Sequence, residues 1–291
     1  MFVIFGILGV ILVCIVETLF GIKSDSGLLT TTIFRFIPVG AIAYGIFIGW
    51  MVATGVKVSN KEPKKKRYSI CACILALITF FGMGFIEYKT TYVNDNYEIN
   101  RNFEGIPISE YVYTDNTGND IKMNFINYTK YVLDNSTIIV HSKNSSNDRE
   151  VDTSGTQNYI RYLLAMAGIA LASLFSTIGT LANEKYCSNC GKFLKKKYLF
   201  KFSGNDFDEE VEEFKDKLNT RIGLEEYLRR KRKVSGMTYY IIELRYCNEC
   251  KIGEILFRKM VAGNKESELI EDATIEIDSL TVNDILTGIK K

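Results

Sequence analysis

Four apolar runs, each long enough to cross a lipid bilayer, constrain this chain more than any other feature. Residues 1–22 carry one charge, Glu17, and the runs 36–56, 68–86 and 162–183 carry none. A hydrocarbon core of about 30 Å requires roughly 20 helical residues at a rise of about 1.5 Å each. A buried helix of a soluble core could explain any single run, but not four in 291 residues. The sequence therefore predicts four transmembrane helices.

The first run could instead be a signal peptide. No basic residue precedes its apolar stretch, and no convincing small-x-small cleavage site follows it. We therefore expect an uncleaved helix.

The distribution of Lys and Arg predicts the orientation. Residues 57–67 hold six basic residues and one acidic residue, whereas the loop 23–34 holds only Lys23 and Asp25. Six more lysines lie between Lys185 and Lys201. Short basic loops stay in the cytoplasm. We expect a multi-pass integral membrane protein with both termini cytoplasmic and residues 87–157 outside.

The seven cysteines agree with this topology. None lies in 87–157; Cys14, Cys71 and Cys73 lie in apolar runs, and the other four lie beyond residue 184. Free thiols suit a reducing compartment, where they can bind metal.

The segment 87–157 alternates apolar and polar residues in short stretches. This pattern predicts strands at 107–113 and 121–126 around a turn at 114–120, and a third strand at 136–142. The single histidine, His141, is interpreted as an ordinary strand residue. A small β-rich extracytoplasmic domain is expected.

Polar and small residues mark the predicted spans. Glu17, Arg35 and Arg161 lie near the outer ends, where an ion pair or interface anchoring explains them. Gly45 and Gly49 form a GxxxG pair, and the fourth run is rich in Ala, Gly and Ser. These residues predict close helix packing, within the bundle or between subunits.

Two C-x2-C pairs are the most specific chemical signal: Cys187 with Cys190, and Cys247 with Cys250. Zinc favours four thiolates in a tetrahedron, and each pair presents two sulfurs to one ion. A shell of four cysteines leaves no open position, so we expect structural Zn2+. A dithiol redox pair and separate or inter-subunit metal sites are the alternatives.

The Cys187–Leu194 stretch, C-x2-C-G-K-x-L, resembles the knuckle of a zinc ribbon. The resemblance implies β-hairpins around the metal, and stretches 198–202, 239–246 and 254–258 are plausible strands. The 56 residues between Cys190 and Cys247 exceed the usual ~15 to 20. Charge patterns predict two helices in this excess, at 207–218 and 224–233, as an insertion that leaves the metal shell intact.

The basic runs allow several partners. Lys195, Lys196 and Lys197 follow the fourth span and could attract anionic lipid headgroups. The run 229–233 could touch phosphate, but acidic residues at 206–213 favour a solvated, internally paired face. Nucleic acid is the third possible partner of these basic residues, after an internally paired face and lipid headgroups.

The predicted fold is a polytopic α-helical membrane protein with a β-rich extracytoplasmic domain and a cytosolic zinc-ribbon-like α+β domain. Its expected parts are transmembrane helices 1 and 2 (1–56), a basic loop (57–67), helix 3 (68–86), the extracytoplasmic domain (87–157), helix 4 (158–183), the ribbon (184–260, helical insertion 203–237) and a tail (261–291).

No catalytic motif of the nucleotide-binding, hydrolase or metalloprotease type is present in the sequence. We therefore expect a non-enzymatic membrane adaptor or sensor, with a protein partner or self-association. A transporter or channel subunit using Glu17 and Arg35 is the first alternative. A membrane-tethered nucleic-acid-binding protein is the second.

Overall fold

The computed structural model divides the chain into two compact units. The helical unit comprises Met1–Ser59 and Pro63–Asn183, and the C-terminal unit comprises Asn60–Glu62 and Glu184–Lys291. The structure describes residues 2–24, 37–101, 103–114, 118, 120–135, 137–140, 149–152, 155–182, 184–203, 206–229, 237–262 and 267–288. Arg35, His141 and the basic residues 230–233 lie outside these ranges.

Within the described ranges, the helical unit contains five helices and seven short strands. In chain order they are α1 (Phe2–Ser24), α2 (Val39–Val58), α3 (Lys65–Lys89), β1 (Tyr92–Val93), β2 (Ile99–Asn100), β3 (Ile106–Pro107), β4 (Val112–Thr114), β5 (Asp120–Lys122), α4 (Phe125–Asn135), β6 (Thr137–Val140), β7 (Arg149–Asp152) and α5 (Gly155–Ala182).

Helices α1, α2, α3 and α5 are long and apolar enough to cross a membrane. They occupy the four apolar runs of the sequence. Helix α5 packs against both α2 and α3, and α1 packs against α2 and α3. Many apolar side chains on α1 are exposed in the isolated chain, including Ile4, Ile11 and Leu19.

The GxxxG pair of α2 packs against α5 within the same chain. A Cβ atom added to Gly45 would overlap the carbonyl oxygen of Ile169, and one added to Gly49 would overlap that of Ser173. Glycine is therefore required at both positions for the two helix backbones to approach this closely. The sequence left open whether the pair packs inside the bundle or between subunits, and the structure uses it inside.

Hydroxyl groups of α5 reinforce this contact. Ser176 Oγ donates to the carbonyl of Ile46 at 2.8 Å, and Thr177 Oγ1 contacts the carbonyl of Gly49 at 3.1 Å. Both acceptors are backbone carbonyls of α2. The close approach thus brings hydrogen-bond donors of one helix onto the backbone of the other.

The described residues of the 87–157 segment form short strands and a helix, α4, that was not predicted. The strand predicted at 107–113 is wrong in its middle, because residues 108–110 form a turn in which the N–H of Glu110 donates to the carbonyl of Pro107 at 2.8 Å. Strand β1 pairs with both β2 and β3, β4 pairs with β5, and β6 pairs with β7, all antiparallel. The β4–β5 hairpin spans the predicted turn. The strand predicted at 121–126 is wrong beyond Lys122, because residues 125–135 form α4.

The sequence signal for α4 is an N-cap. Asn124 Oδ1 accepts a hydrogen bond from the backbone N–H of Asn127 at 2.9 Å, and Asn is a favoured capping residue. Phe125, Tyr128 and Val132 then follow at helical spacing and pack in one core cluster. Period-2 alternation over a few residues concealed this longer period.

The C-terminal unit is built on one antiparallel sheet. Its elements are β8 (Tyr186–Cys187), β9 (Lys192–Phe193), β10 (Lys195–Phe202), α6 (Phe207–Thr220), α7 (Leu224–Arg229), β11 (Thr238–Tyr246), β12 (Gly253–Ala262), β13 (Ser267–Ile277) and α8 (Ser279–Gly288). The sheet order is β10-β11-β12-β13, and β8 pairs separately with β9.

Helices α6, α7 and α8 cover one face of this sheet. Helix α6 begins at Asp206, whose side chain accepts from the N–H groups of Asp208 and Glu209. It buries Phe207, Val211, Phe214 and Leu218, which recur at the spacing of one helix face. Sheet residues such as Tyr240, Ile242 and Phe257 complete the same core, together with Val282 and Ile285 of α8. The two helices between the cysteine pairs, which the sequence predicted, therefore form the core, and the tail contributes to it.

Substitution of the two packing glycines tests the α2–α5 contact. We expect Gly45→Ala and Gly49→Ala to destabilise the chain by about 1–3 kcal/mol each, because the added methyl meets immobile backbone. Thermal unfolding of the purified chain in detergent measures the change.

Gly82 provides the matched control, since a Cβ added there has no neighbour within 4 Å. Gly82→Ala should leave stability unchanged or raise it, because alanine favours helix over glycine. Equal effects at Gly45 and Gly82 would contradict the packing role.

Candidate metal centre

The four cysteines of the two C-x2-C pairs converge in the C-terminal unit. Their sulfur atoms all lie within 4.8 Å of one another, and the sulfurs of Cys187 and Cys250 are 3.6 Å apart. All seven cysteines of the chain are free thiols. Around a four-coordinate ion with sulfur bonds near ~2.3 Å, tetrahedral geometry separates the sulfurs by about 3.8 Å. The cluster fits such an ion, and these four residues could hold a metal.

Cys187 and Cys190 lie in a tight turn between β8 and β9. The backbone N–H of Gly191 donates to the carbonyl of Cys187 at 2.9 Å, which closes the turn. Gly191 has φ +66°, in the left-handed region that glycine adopts without steric cost. The glycine in this position thus allows the chain to reverse beside the sulfurs.

Cys247 and Cys250 lie in an equivalent turn between β11 and β12. The backbone N–H of Lys251 donates to the carbonyl of Cys247 at 3.0 Å, and Lys251 has φ +60°. Lys251 therefore adopts the conformation of Gly191 with a side chain present. We call these two turns the first and second knuckle.

The sequence carries a further signal for this equivalence, beyond the spacing of the cysteines. Each knuckle begins with a basic residue, a tyrosine and the first cysteine: Lys185-Tyr-Cys187 and Arg245-Tyr-Cys247. Tyr246 is the last residue of β11, and Tyr186 belongs to the two-residue strand β8. Tyr186 stacks edge-on against Phe193 at 5.3 Å between ring centroids, and the ammonium of Lys251 lies 5.7 Å from the Tyr246 ring.

The sheet register brings the two knuckles together. Tyr246 pairs with both Lys195 and Gly253, so β10 begins where β11 ends and β12 begins. Both knuckles consequently lie at the same end of the sheet. Gly253 is required there, because a Cβ atom on it would overlap the carbonyl oxygen of Arg245.

The electrostatics of the cluster favour thiolate at one sulfur. Cys247 is fully buried, which opposes ionisation, but backbone N–H groups of Cys250 and Glu249 and the thiols of Cys250 and Cys190 lower its pKa to about 7. The hydrogen bond with Cys250 raises the pKa of Cys190 to about 12. Hydrogen bonding within the cluster thus favours one thiolate beside a protonated thiol, and a bound cation would supply the charge that lets all four ionise.

An ion pair joins the two knuckles beside the sulfurs. Lys192 Nζ lies 2.6 Å from Glu249 Oε1, with one residue from each knuckle. The pairing raises the pKa of Lys192 and lowers that of Glu249. Both side chains are solvent-exposed, so the pair orients the knuckles more than it stabilises them.

The structure also shows the surroundings of the predicted lipid-binding lysines and of Glu17. Lys196 lies on the opposite face of β10 from Lys195 and Lys197, and it pairs with Glu184 at 3.3 Å. The three lysines therefore form no single basic surface. Glu17 accepts a hydrogen bond from the Tyr44 hydroxyl at 2.8 Å. Arg35, one of the two arginines predicted with Glu17 at the outer ends of the spans, lies outside the described residues.

No protein-family model matches this chain, and neither the curated proteins nor the solved structures contain a match to it.

Replacement of Lys251 tests whether the two knuckles are equivalent. A non-glycine residue in the left-handed region costs roughly 1–2 kcal/mol, so Lys251→Gly should strengthen the second knuckle and slow removal of metal by a chelator. Gly191→Ala should have the opposite effect on the first knuckle. The measurement is the rate at which a chromogenic chelator takes up metal from the purified chain.

Lys251→Ala separates the backbone effect from loss of the lysine side chain. It retains the left-handed strain and should release metal no more slowly than the parent chain. Faster release from Lys251→Gly than from Lys251→Ala would contradict the equivalence.

Proposed function

We propose that this protein is a non-enzymatic integral membrane adaptor or sensor whose cytosolic unit is held together by structural Zn2+ at Cys187, Cys190, Cys247 and Cys250. The observation that carries the proposal is the convergence of these four sulfurs on a folded unit that follows four membrane-length helices. The membrane helices localise the protein, and the C-terminal unit offers the contact surface.

The donor set supports zinc. Four thiolates with a separation compatible with a tetrahedron are the ligands of structural zinc sites, which leave no coordination position for a substrate. The two hairpin knuckles, each with its second cysteine followed by a left-handed residue, support the resemblance to a zinc ribbon. In this protein α6 and α7 extend the ribbon, and their apolar side chains pack against one face of the sheet.

The proposed topology places both termini in the cytoplasm. Basic residues are concentrated at 57–67 and after α5, which supports a cytoplasmic position for both. The reducing cytoplasm also keeps the four thiols available to metal. Residues 87–157, which contain no cysteine, would then lie outside.

An adaptor role is supported by the division of the molecule. The C-terminal unit has its own core, composed of 15 buried side chains from the sheet and three helices. This core is separate from that of the four membrane-length helices. A unit that folds around its own core supports contact with a protein partner or self-association more than a role confined to the bilayer.

Metal analysis tests the zinc site. We expect about one zinc ion per purified chain, lost on Cys247→Ser, because removal of one of four ligands opens the shell. Cys14→Ser is the matched control, since Cys14 lies in α1, and it should retain the metal. A folded chain without zinc, or equal metal loss in both variants, would contradict the site.

Partner capture tests the adaptor role. Proteins cross-linked to the full chain in membranes should be lost in Cys247→Ser and retained in Cys14→Ser, because metal binding is coupled to folding of the C-terminal unit. Quantitative mass spectrometry of the cross-linked material measures the difference. An unchanged set of partners in Cys247→Ser would count against docking through this unit.

A further inference from the structure

We propose that the first turn of α4 lies in the interfacial region of the outer leaflet and binds phospholipid there through Ile126. This inference rests on the proposed insertion of the four helices in a bilayer. It assigns a lipid-contacting function to an element of the 87–157 segment, which the sequence predicted to be a domain outside the membrane.

A continuous apolar surface leads from α3 onto α4. Phe81 and Phe85 lie one helical turn apart on α3, and each is 47% exposed. The Phe85 ring contacts the Phe125 ring edge-on, with centroids 5.6 Å apart. Ile126 follows directly and is 76% exposed. The surface of α3 that would face lipid therefore continues onto the first turn of α4.

Phe125 also fixes the depth of this turn. A Cβ atom added to Gly84 would lie 3.7 Å from the tip of the Phe125 ring. Gly84 belongs to the uncharged run that ends at Ile86, before the first charged residue Glu87. The beginning of α4 thus lies beside the last turn of the span, where a bilayer changes from hydrocarbon to headgroups.

The other end of α4 is attached to the beginning of α5. Asn158 Nδ2 donates to the carbonyl of Leu133 at 2.9 Å. Helix α4 therefore connects the ends of α3 and α5 and lies across them. An element held at both ends beside two membrane-length helices cannot extend far from the bilayer.

The side chains of α4 have the distribution of an interfacial helix. Tyr128 and Val132 pack inward with Tyr88 of α3. Ile126 and Lys130 are exposed and four residues apart, so they share one helix face. A lysine beside an aliphatic residue that is immersed in lipid can extend its ammonium to the headgroups while its methylene groups lie against the apolar surface. The ammonium of Lys89 lies 5.8 Å from the Phe85 ring centroid, which is consistent with a position in the same headgroup region.

Depth-dependent fluorescence quenching tests the proposal. The chain has one tryptophan, Trp50 of α2, so Trp50→Phe with Ile126→Trp gives a single probe in α4. The purified full chain is reconstituted in phosphatidylcholine vesicles with acyl chains brominated near the headgroup or near the chain end. We expect loss of emission with shallow bromine, less loss with deep bromine, and a blue-shifted maximum.

Two controls separate the possible failures. Trp50 in the unmodified chain should be quenched if α2 crosses the bilayer. Val112 is half-exposed on β4, outside the surface described above. A tryptophan at this position, introduced as Val112→Trp in the Trp50→Phe background, should stay unquenched.

Quenching of Trp50 without quenching at position 126 would overturn the lipid contact and leave the spanning helices intact. Equal quenching at 112 and 126 would overturn the assignment to α4. No quenching of Trp50 would overturn insertion itself, and this inference with it.

Discussion

The pairing of β10, β11 and β12 determines where the metal ligands lie. Cys190 and Cys247 are separated by 56 residues, yet Tyr246 pairs with residues adjoining both knuckles. A shift of this register by one residue would turn the core side chains to the opposite face of the sheet. The aromatic core between the sheet and α6 therefore fixes the register, and the register fixes the sulfur positions. Burial of the core therefore also holds the four sulfurs where they could bind one metal ion.

Because the sheet register positions the sulfurs, the long insertion between Cys190 and Cys247 does not prevent the four cysteines from lying together. Closing a longer loop adds little entropic cost, which grows only with the logarithm of its length. In this chain the insertion also stabilises the unit, because Phe207, Val211, Phe214 and Leu218 bury apolar surface on the sheet. The same sheet is extended by β13, which pairs with β12 along its length except at Ile270, where the register shifts. The C-terminal residues are thus part of the fold that positions the thiols.

Local patterns predicted the parts of the structure that depend on local chemistry. Apolar runs located four helices, and the two C-x2-C pairs identified four thiols that lie together. The partner of the GxxxG pair was not predictable, since glycine permits close approach but does not specify which helix approaches. The α4 helix was missed because tertiary contacts of Phe125 and Tyr128 select the helical period over a short alternating pattern. Long-range packing determines both the partner of the GxxxG pair and the helical conformation of α4.

The 87–157 segment illustrates how packing onto a helix substitutes for an independent core. About 70 residues without a disulfide bury too little surface for much stability. Here the core cluster includes Tyr88, which is part of α3, and its hydroxyl donates to the carbonyl of Met123 at 3.0 Å. Glu87 of α3 pairs with Arg101 at 2.6 Å and accepts from the Tyr128 hydroxyl at 3.3 Å.

The Tyr128 hydroxyl is well suited to this contact. Burial and the charge of Glu87 raise its pKa, which keeps the phenol protonated as a donor. The last turn of α3 therefore supplies both apolar and polar anchors, and the segment belongs to the same compact unit as the helices. Because those anchors belong to a helix of membrane length, the stability of the 87–157 segment depends on that helix being in place.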